Sequence, residues 1–269
     1  TTEERIYIYD TETKALREVV PPASIMAVQV WNWGNFWMRF RPDGNALAFP
    51  AGHGLYVFDV ESGETKTITE GTDRAIGSAA WSPDGKWLAY PKQDRELINH
   101  VYVYSFETGE ERRLYDDPLG EWNPVFTPDG RYLLFLARRD LDANRMYDRT
   151  GRSWVLPEVY ALALQKEAED PDEPKDVDDK KKKDKDEDED EEDEDADEDE
   201  DEDEDEEIEE PAEPAEPVEV AIAFEDLDMR TRRLTHMVEP VWSSLLITSD
   251  SERVIFGVSE SRGDKRVGV

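Results

Sequence analysis

The sequence predicts an all-β fold, a β-propeller of four-stranded antiparallel blades, on three observations. The first is a returning phrase: an aromatic, a spacer, Pro-Asp-Gly, then an apolar strand closed by another aromatic. It runs from Phe40 through Pro42-Asp43-Gly44 to Phe49, from Trp81 through Pro83-Asp84-Gly85 to Tyr90, and from Phe126 through Pro128-Asp129-Gly130 to Phe135. A worn copy from Ile247 to Phe256 keeps Asp250 and the closing aromatic. The aspartates lie 41, 45 and 121 residues apart, and a period of about 40 to 50 residues marks propeller blades. The second observation is a tyrosine-rich run downstream of each phrase, followed by a polar turn and a further strand. The third is a charged tract that interrupts one of these units. Repeated hairpins could also build an open β-sandwich, but sandwiches seldom keep a 40-residue period.

Taken in order, each element has a local reason. Ile6-Tyr7-Ile8-Tyr9-Asp10, the turn Thr11-Glu12-Thr13 and Leu16 to Val19 read as the second half of a partial blade over 1–20. A blade over about 21–70 follows. Its aromatic cluster Trp31, Trp33, Phe36 and Trp37 suits packing between blades. Pro presets φ at its turn, Asp bonds its own backbone and Gly accepts positive φ, so Pro42-Asp43-Gly44 closes a tight hairpin. Leu55 to Val60, Glu61-Ser62-Gly63 and Lys66 to Thr69 supply the other two strands. The blade over 71–115 repeats this with Lys86 to Tyr90, Val101 to Phe106, Glu107-Thr108-Gly109 and Arg112-Arg113-Leu114. The blade over 116–165 uses Arg131 to Phe135, a long loop from Arg138 to Pro157, and Val159 to Leu164. Loops of such length often carry function, so Arg138-Arg139-Asp140 onward is a candidate rim contact or gate. A single blade cannot bury both faces, so neighbours must pack on each other.

Over 166–218 every periodic pattern stops. Between Lys166 and Glu219 there are 35 acidic and 7 basic residues, a balance of −28 within the chain's total of −36, which leaves −8 for everything else. Like charges at this density repel and almost nothing apolar offsets the entropy of ordering, so a disordered spacer is expected. An EF-hand-like calcium loop needs a Gly at its bend, and none occurs between Gly151 and Gly257. The tract sits where other blades have a short turn, and loop closure costs only slowly more with length. Propeller strands resume over 219–269, beginning with Val218 to Phe224.

The 269 residues give roughly three full blades and two partial ones, fewer than a large ring usually needs, so an excised piece is expected. There is no cysteine, which excludes disulfides and thiolate chemistry. No run of 18 apolar residues is present, so no helical membrane span is expected, and the compartment stays open. The histidines are His53 on a Gly-flanked turn, His100 before a strand and His236 after one. None is spaced as a metal ligand, and no Gly-x-Ser-x-Gly elbow or phosphate loop occurs. No catalytic, cofactor-binding or metal residue is assigned, and no cofactor is expected.

Together these features resemble the propeller region of tricorn-type proteases, of the S41 peptidase class. The Pro-Asp-Gly blades are shared with TolB-like and other propellers of the WD40-like kind. The order of long loop, strand Val159 to Lys166, charged insert and Phe224-Glu225-Asp226-Leu227-Asp228 through Thr235 is more specific. The resemblance implies a homo-oligomeric serine peptidase, with a second propeller opening near the Asp- and Leu-rich segment. Its PDZ-like and catalytic domains would lie outside this sequence. This segment would then filter or guide peptides without cutting them, and contact no nucleic acid. The alternatives are a TolB-like interaction propeller and the propeller cap of an oligopeptidase.

Overall fold

The structure is a computed structural model that describes residues 6–19, 37–70, 76–116, 120–139, 145–147, 153–166, 218–235 and 245–258. Apart from one 3-10 turn, Leu227–Arg230, the regular elements among these residues are strands. Residues 167–217 of the tract expected to be disordered, Trp31, Trp33, Phe36 and His236 lie outside the described residues.

Strands β1 (Ile6–Tyr9) and β2 (Leu16–Val19) pair antiparallel. Next come β3 (Arg39–Phe40), β4 (Ala46–Ala51), β5 (Gly54–Asp59) and β6 (Thr65–Glu70), hydrogen-bonded in chain order as one four-stranded sheet. The same meander forms from β7 (Ala80–Trp81), β8 (Trp87–Gln93), β9 (Asn99–Ser105) and β10 (Glu111–Arg113). The third sheet begins with β11 (Glu121–Phe126) and β12 (Tyr132–Ala137). The chain then leaves it for a separate hairpin, β13 (Arg145–Tyr147) with β14 (Ser153–Val155), inside the stretch read as a loop. It returns as β15 (Glu158–Ala163), and the fourth strand is β16 (Thr231–Arg233), beyond the acidic tract. Thr231–Arg233, which follows the Asp- and Leu-rich segment, is thus the outer strand of the third sheet. A last pair, β17 (Leu246–Ile247) with β18 (Val254–Ile255), follows.

Alternation along each strand sorts its side chains between two neighbouring sheets. From β4 and β5, Ala46, Ala48, Leu55 and Val57 join Leu88, Tyr90 and Tyr104 of the second sheet. Their alternates Leu47, Phe49, Tyr56 and Phe58 meet Ile6, Ile8 and Val19 of the first pair. Val101, Val103, Leu133, Phe135, Tyr160 and Leu162 fill the seam between the second and third sheets. Leu134, Leu136, Val159 and Ala161 pack against Ile247, Val254 and Phe256. Four cores thus separate five successive sheets, as a partial propeller requires, and strands buried on both faces read as nearly continuous apolar runs. The closing aromatic of every phrase (Phe49, Tyr90, Phe135, Phe256) faces the sheet before its own.

The spacer of the phrase is a structural hydroxyl in three copies, and in the first Arg41 Nε donates to Asp43 Oδ1 at 2.8 Å instead. Ser82 Oγ donates to Asp84 Oδ1 at 2.5 Å and accepts the Trp87 N–H at 2.9 Å. Thr127 does the same with Asp129 and Tyr132, and Thr248 with Asp250 and Arg253. Gly44, Gly85 and Gly130 adopt φ of 75°, 69° and 70°, the left-handed region that glycine enters without a Cβ penalty. The turns after the tyrosine-rich strands are held by Asp10 and Asp59, which accept backbone N–H groups of Thr13 and Ser62.

These hydrogen bonds hold turn carboxyls below their ordinary value of 3.8: the Thr13 N–H at Asp10, the Arg41 guanidinium at Asp43, the Ser62 N–H at Asp59 and the Thr248 hydroxyl at Asp250. A carboxyl depressed on folding stabilises above its unfolded pKa, and that contribution is lost as pH falls through the folded value. The thermal midpoint should therefore change little above about pH 5 and fall below it. Differential scanning across pH 2.5 to 7 checks this, and a midpoint that rises on acidification would contradict it.

Candidate functional site

The densest polar chemistry among the described residues lies in the seam between the second and third sheets. The hairpin turn before β9 places Asp94 beside His100, which is the second residue of β9 and not, as its sequence position suggested, a residue preceding the strand. Asp94 Oδ2 lies 2.9 Å from His100 Nε2. Arg113, at the end of β10, brings Nη2 to 3.0 Å from Nδ1 of the same ring. The same Nη2 lies 3.1 Å from Nε2, so the guanidinium spans both ring nitrogens. Burial pushes the Asp94 carboxyl up, but the Ile98 N–H and His100 outweigh it and hold the group below its ordinary value.

The third sheet supplies the other half. Glu121 opens β11 and is 0 % exposed; its Oε2 accepts the Val101 N–H at 3.3 Å and lies 3.6 Å from His100 Nδ1. Arg139, two residues past β12, lies 3.9 Å from Glu121 Oε1 and 3.3 Å from Asp228 Oδ1. Its guanidinium stands 3.7 Å over the Tyr115 ring. Burial raises the Tyr115 phenol above its ordinary value, and its hydroxyl meets Thr231 Oγ1 at 2.6 Å. Arg138 covers the Trp122 ring at 4.8 Å, and burial lowers its pKa. The root of the long loop, read as a rim contact, is thus folded inward as two guanidinium–aromatic contacts, while 140–144 lie outside the described residues.

This arrangement is a charge-matched staple. His100 is 0 % exposed with both ring nitrogens engaged, so no substrate atom can approach it. His53 sits exposed on the β4–β5 turn, far in sequence from this cluster. Among the described residues, no group of three or more His, Asp or Glu side chains is arranged to hold a metal ion. Nor is any described helix long and apolar enough to cross a membrane. Sequence reading missed Glu121, and it named Arg139 as part of a rim loop and not as a buried partner. The signal was present as an acid at the head of an apolar strand and as paired arginines just after one, since charged residues are almost never fully buried unless paired.

Comparison with known proteins agrees with this architecture. Residues 1–119 match the family model described as the dipeptidyl peptidase IV (DPP IV) N-terminal region. The chain is 28% identical over 106 residues to the "Uncharacterized peptidase YuxL" of Bacillus subtilis, covering 36% of this chain and 16% of that protein. It is 26% identical over 106 residues to Tricorn protease homolog 1 of Streptomyces coelicolor, covering 39% of this chain and 10% of that protein. A solved structure titled as that of the tricorn protease superposes over 94% of this chain and 24% of its own, with a TM-score of 0.55 and 14% identity. The chain spans only a small part of each relative, and the low structural identity speaks to fold alone. In fold and in sequence likeness, the described residues form a tricorn-like β-propeller region.

Proposed function

We propose that this chain is the non-catalytic propeller segment of a tricorn-like serine peptidase, where it guides or filters peptide substrate or product. The observation that carries the reading is the state of the described histidine best placed for chemistry. His100 is held by Asp94 and Arg113 of its own sheet and faces Glu121 of the next at 3.6 Å, so this reading assigns cutting to domains elsewhere in the parent protein. The peptidase names of the relatives support a proteolytic parent. In this reading residues 1–165 form blades, 166–218 an insertion in the third, and 219–269 the return to the propeller. Its partners are peptides, PDZ-like and catalytic domains, and further copies in a homo-oligomer, with no cofactor and no nucleic acid.

A second reading, the propeller cap of an oligopeptidase, is favoured by the family model over 1–119. The sequence following Val269 separates the two: a PDZ-like stretch and S41 core in one case, a Gly-x-Ser-x-Gly elbow in the other. The test is hydrolysis of short fluorogenic peptides by the complete open reading frame and by residues 1–269 alone. Turnover by the first and none by the second is expected. Turnover by the 269-residue chain would overturn the non-catalytic reading.

A further inference from the structure

Val218 to Phe224 crosses the seam between the second and third sheets without being a strand of either. It is extended, and its alternate side chains turn inward: Val220 is buried, while Val218, Ile222 and Phe224 pack on the core of the seam. Its main chain is held by side chains. The Val220 N–H donates to Asp84 Oδ2 at 2.9 Å, and Trp87 Nε1 donates to the Val220 carbonyl at 3.0 Å. Lys86 Nζ lies 3.0 Å from Glu219 Oε1, and the Arg112 guanidinium stands 4.7 Å over the Phe224 ring. Gly130 gives the segment its floor. A Cβ there would come within 2.7 Å of Val218 and 2.8 Å of Val220.

Among the described residues, the neighbouring seam shows no such segment. At the equivalent Gly85, the Arg41 chain lies where a Cβ would meet it at 2.9 Å, and Arg41 is itself anchored on Asp43. An open depression of about 470 Å³ remains there, lined in part by Lys86 and Phe106. Both sheets under Val218 to Phe224 already have four strands. The segment is therefore an addition laid over complete blades. It is held by main-chain hydrogen bonds and alternate side-chain contacts, the way extended peptides are recognised.

We propose that this seam is a docking groove for extended peptides, occupied in cis by Val218 to Phe224. A separate peptide with two apolar residues flanking an acidic one, and an aromatic four positions after the second apolar, takes the same groove. The Ala223 N–H donates to the Leu164 carbonyl at 2.9 Å, and Arg230 binds the Ala223 and Glu225 carbonyls. The cis segment is thereby tethered at one end, with an effective concentration on the order of millimolar against any competitor. The proposal goes beyond the peptidase reading and does not rest on it, since binding is measured without turnover.

The test uses the full 269-residue chain carrying Val218→Asp and Val220→Asp, which empties the groove, and a synthetic peptide of residues 217–225 as probe. Calorimetry should show at least roughly tenfold tighter binding to the emptied chain than to the intact one, since the tethered segment no longer competes. Adding Trp87→Phe to the emptied chain should weaken binding severalfold, and the Trp87 indole N–H resonance should shift on titration. A folded, emptied chain that ignores the peptide overturns the proposal. So does an emptied chain that fails to fold, because the seam would then depend on the segment.

Discussion

Glu121→Ala is expected to lower the unfolding free energy by about 3–5 kcal/mol, the cost of breaking a buried charge cluster from one side. Glu121 faces both Arg139 and His100 from inside the seam, and its Oε2 also accepts a backbone N–H from the neighbouring sheet. Removal leaves the Arg139 guanidinium, 12% exposed, beside a desolvated gap. It also strips the Val101 N–H of an acceptor, and a buried donor without a partner costs about 1–3 kcal/mol by itself. Glu121→Gln should cost less, because an amide oxygen can still accept from Val101 although the charge is gone. Urea unfolding of the three proteins checks the order. A second comparison separates specificity from strength. Glu121→Gln with Arg139→Met removes both charges at once, and recovery toward the native value in the double variant would show that the pair orients the blades more than it stabilises them. An Ala variant within about 1 kcal/mol of native would mean that the cluster is solvated, since exposed ion pairs contribute only that much.

How much of this was legible beforehand depends on which residues repeat. The Pro-Asp-Gly phrase recurs because a hairpin turn demands those residue types, and it placed β3–β4, β7–β8 and β11–β12 directly. Alternation within Leu133 to Leu136 and Val159 to Leu162 was readable as strand, but not which face meets which sheet. That depends on register, which the turn sets and a single sequence does not display. Two strands extend past the closing aromatics, Phe49 and Tyr90, at which the phrase ends, and each takes in a proline. Pro91 sits inside β8, opposite Val101, and its carbonyl accepts the Gly77 N–H at 3.3 Å. The fourth strand of the third sheet was hidden for a different reason. Thr231–Arg233 is three residues long and lies far along the chain from β15, so no local pattern joins them. The polar seam was illegible as a site because Asp94, Arg113, Glu121 and Arg139 come from four separate elements and converge only when two sheets pack.

Phe135→Ala should destabilise the chain by about 3–5 kcal/mol, the usual loss for a fully buried aromatic plus the cavity it leaves. Phe135 is 0 % exposed. Its ring centroid lies 5.6 Å from that of Tyr115 in the adjoining segment and 6.1 Å from that of Tyr160 on its own sheet. The Arg139 guanidinium also stands 5.9 Å from it, so the cavity would open beside the charged staple and not in a purely apolar layer. Aromatic pairing adds about 0.5–1.5 kcal/mol beyond burial, which favours the upper part of the range. Because the closing aromatic of each phrase faces the preceding sheet, Phe49→Ala tests the same contact at the first seam. There, among the described residues, Phe49 meets the two-stranded β1–β2 pair across the seam. The Phe49 loss should be smaller wherever that pair frays before the rest unfolds. Urea midpoints for both variants, with the denaturant slope m monitored, decide the matter. An unchanged slope with a shifted midpoint means that the seams unfold together. Near-equal small losses, under about 1 kcal/mol, would mean that the aromatic knobs do not hold the blades together, since a buried Phe seated in a packed core costs more than that to remove.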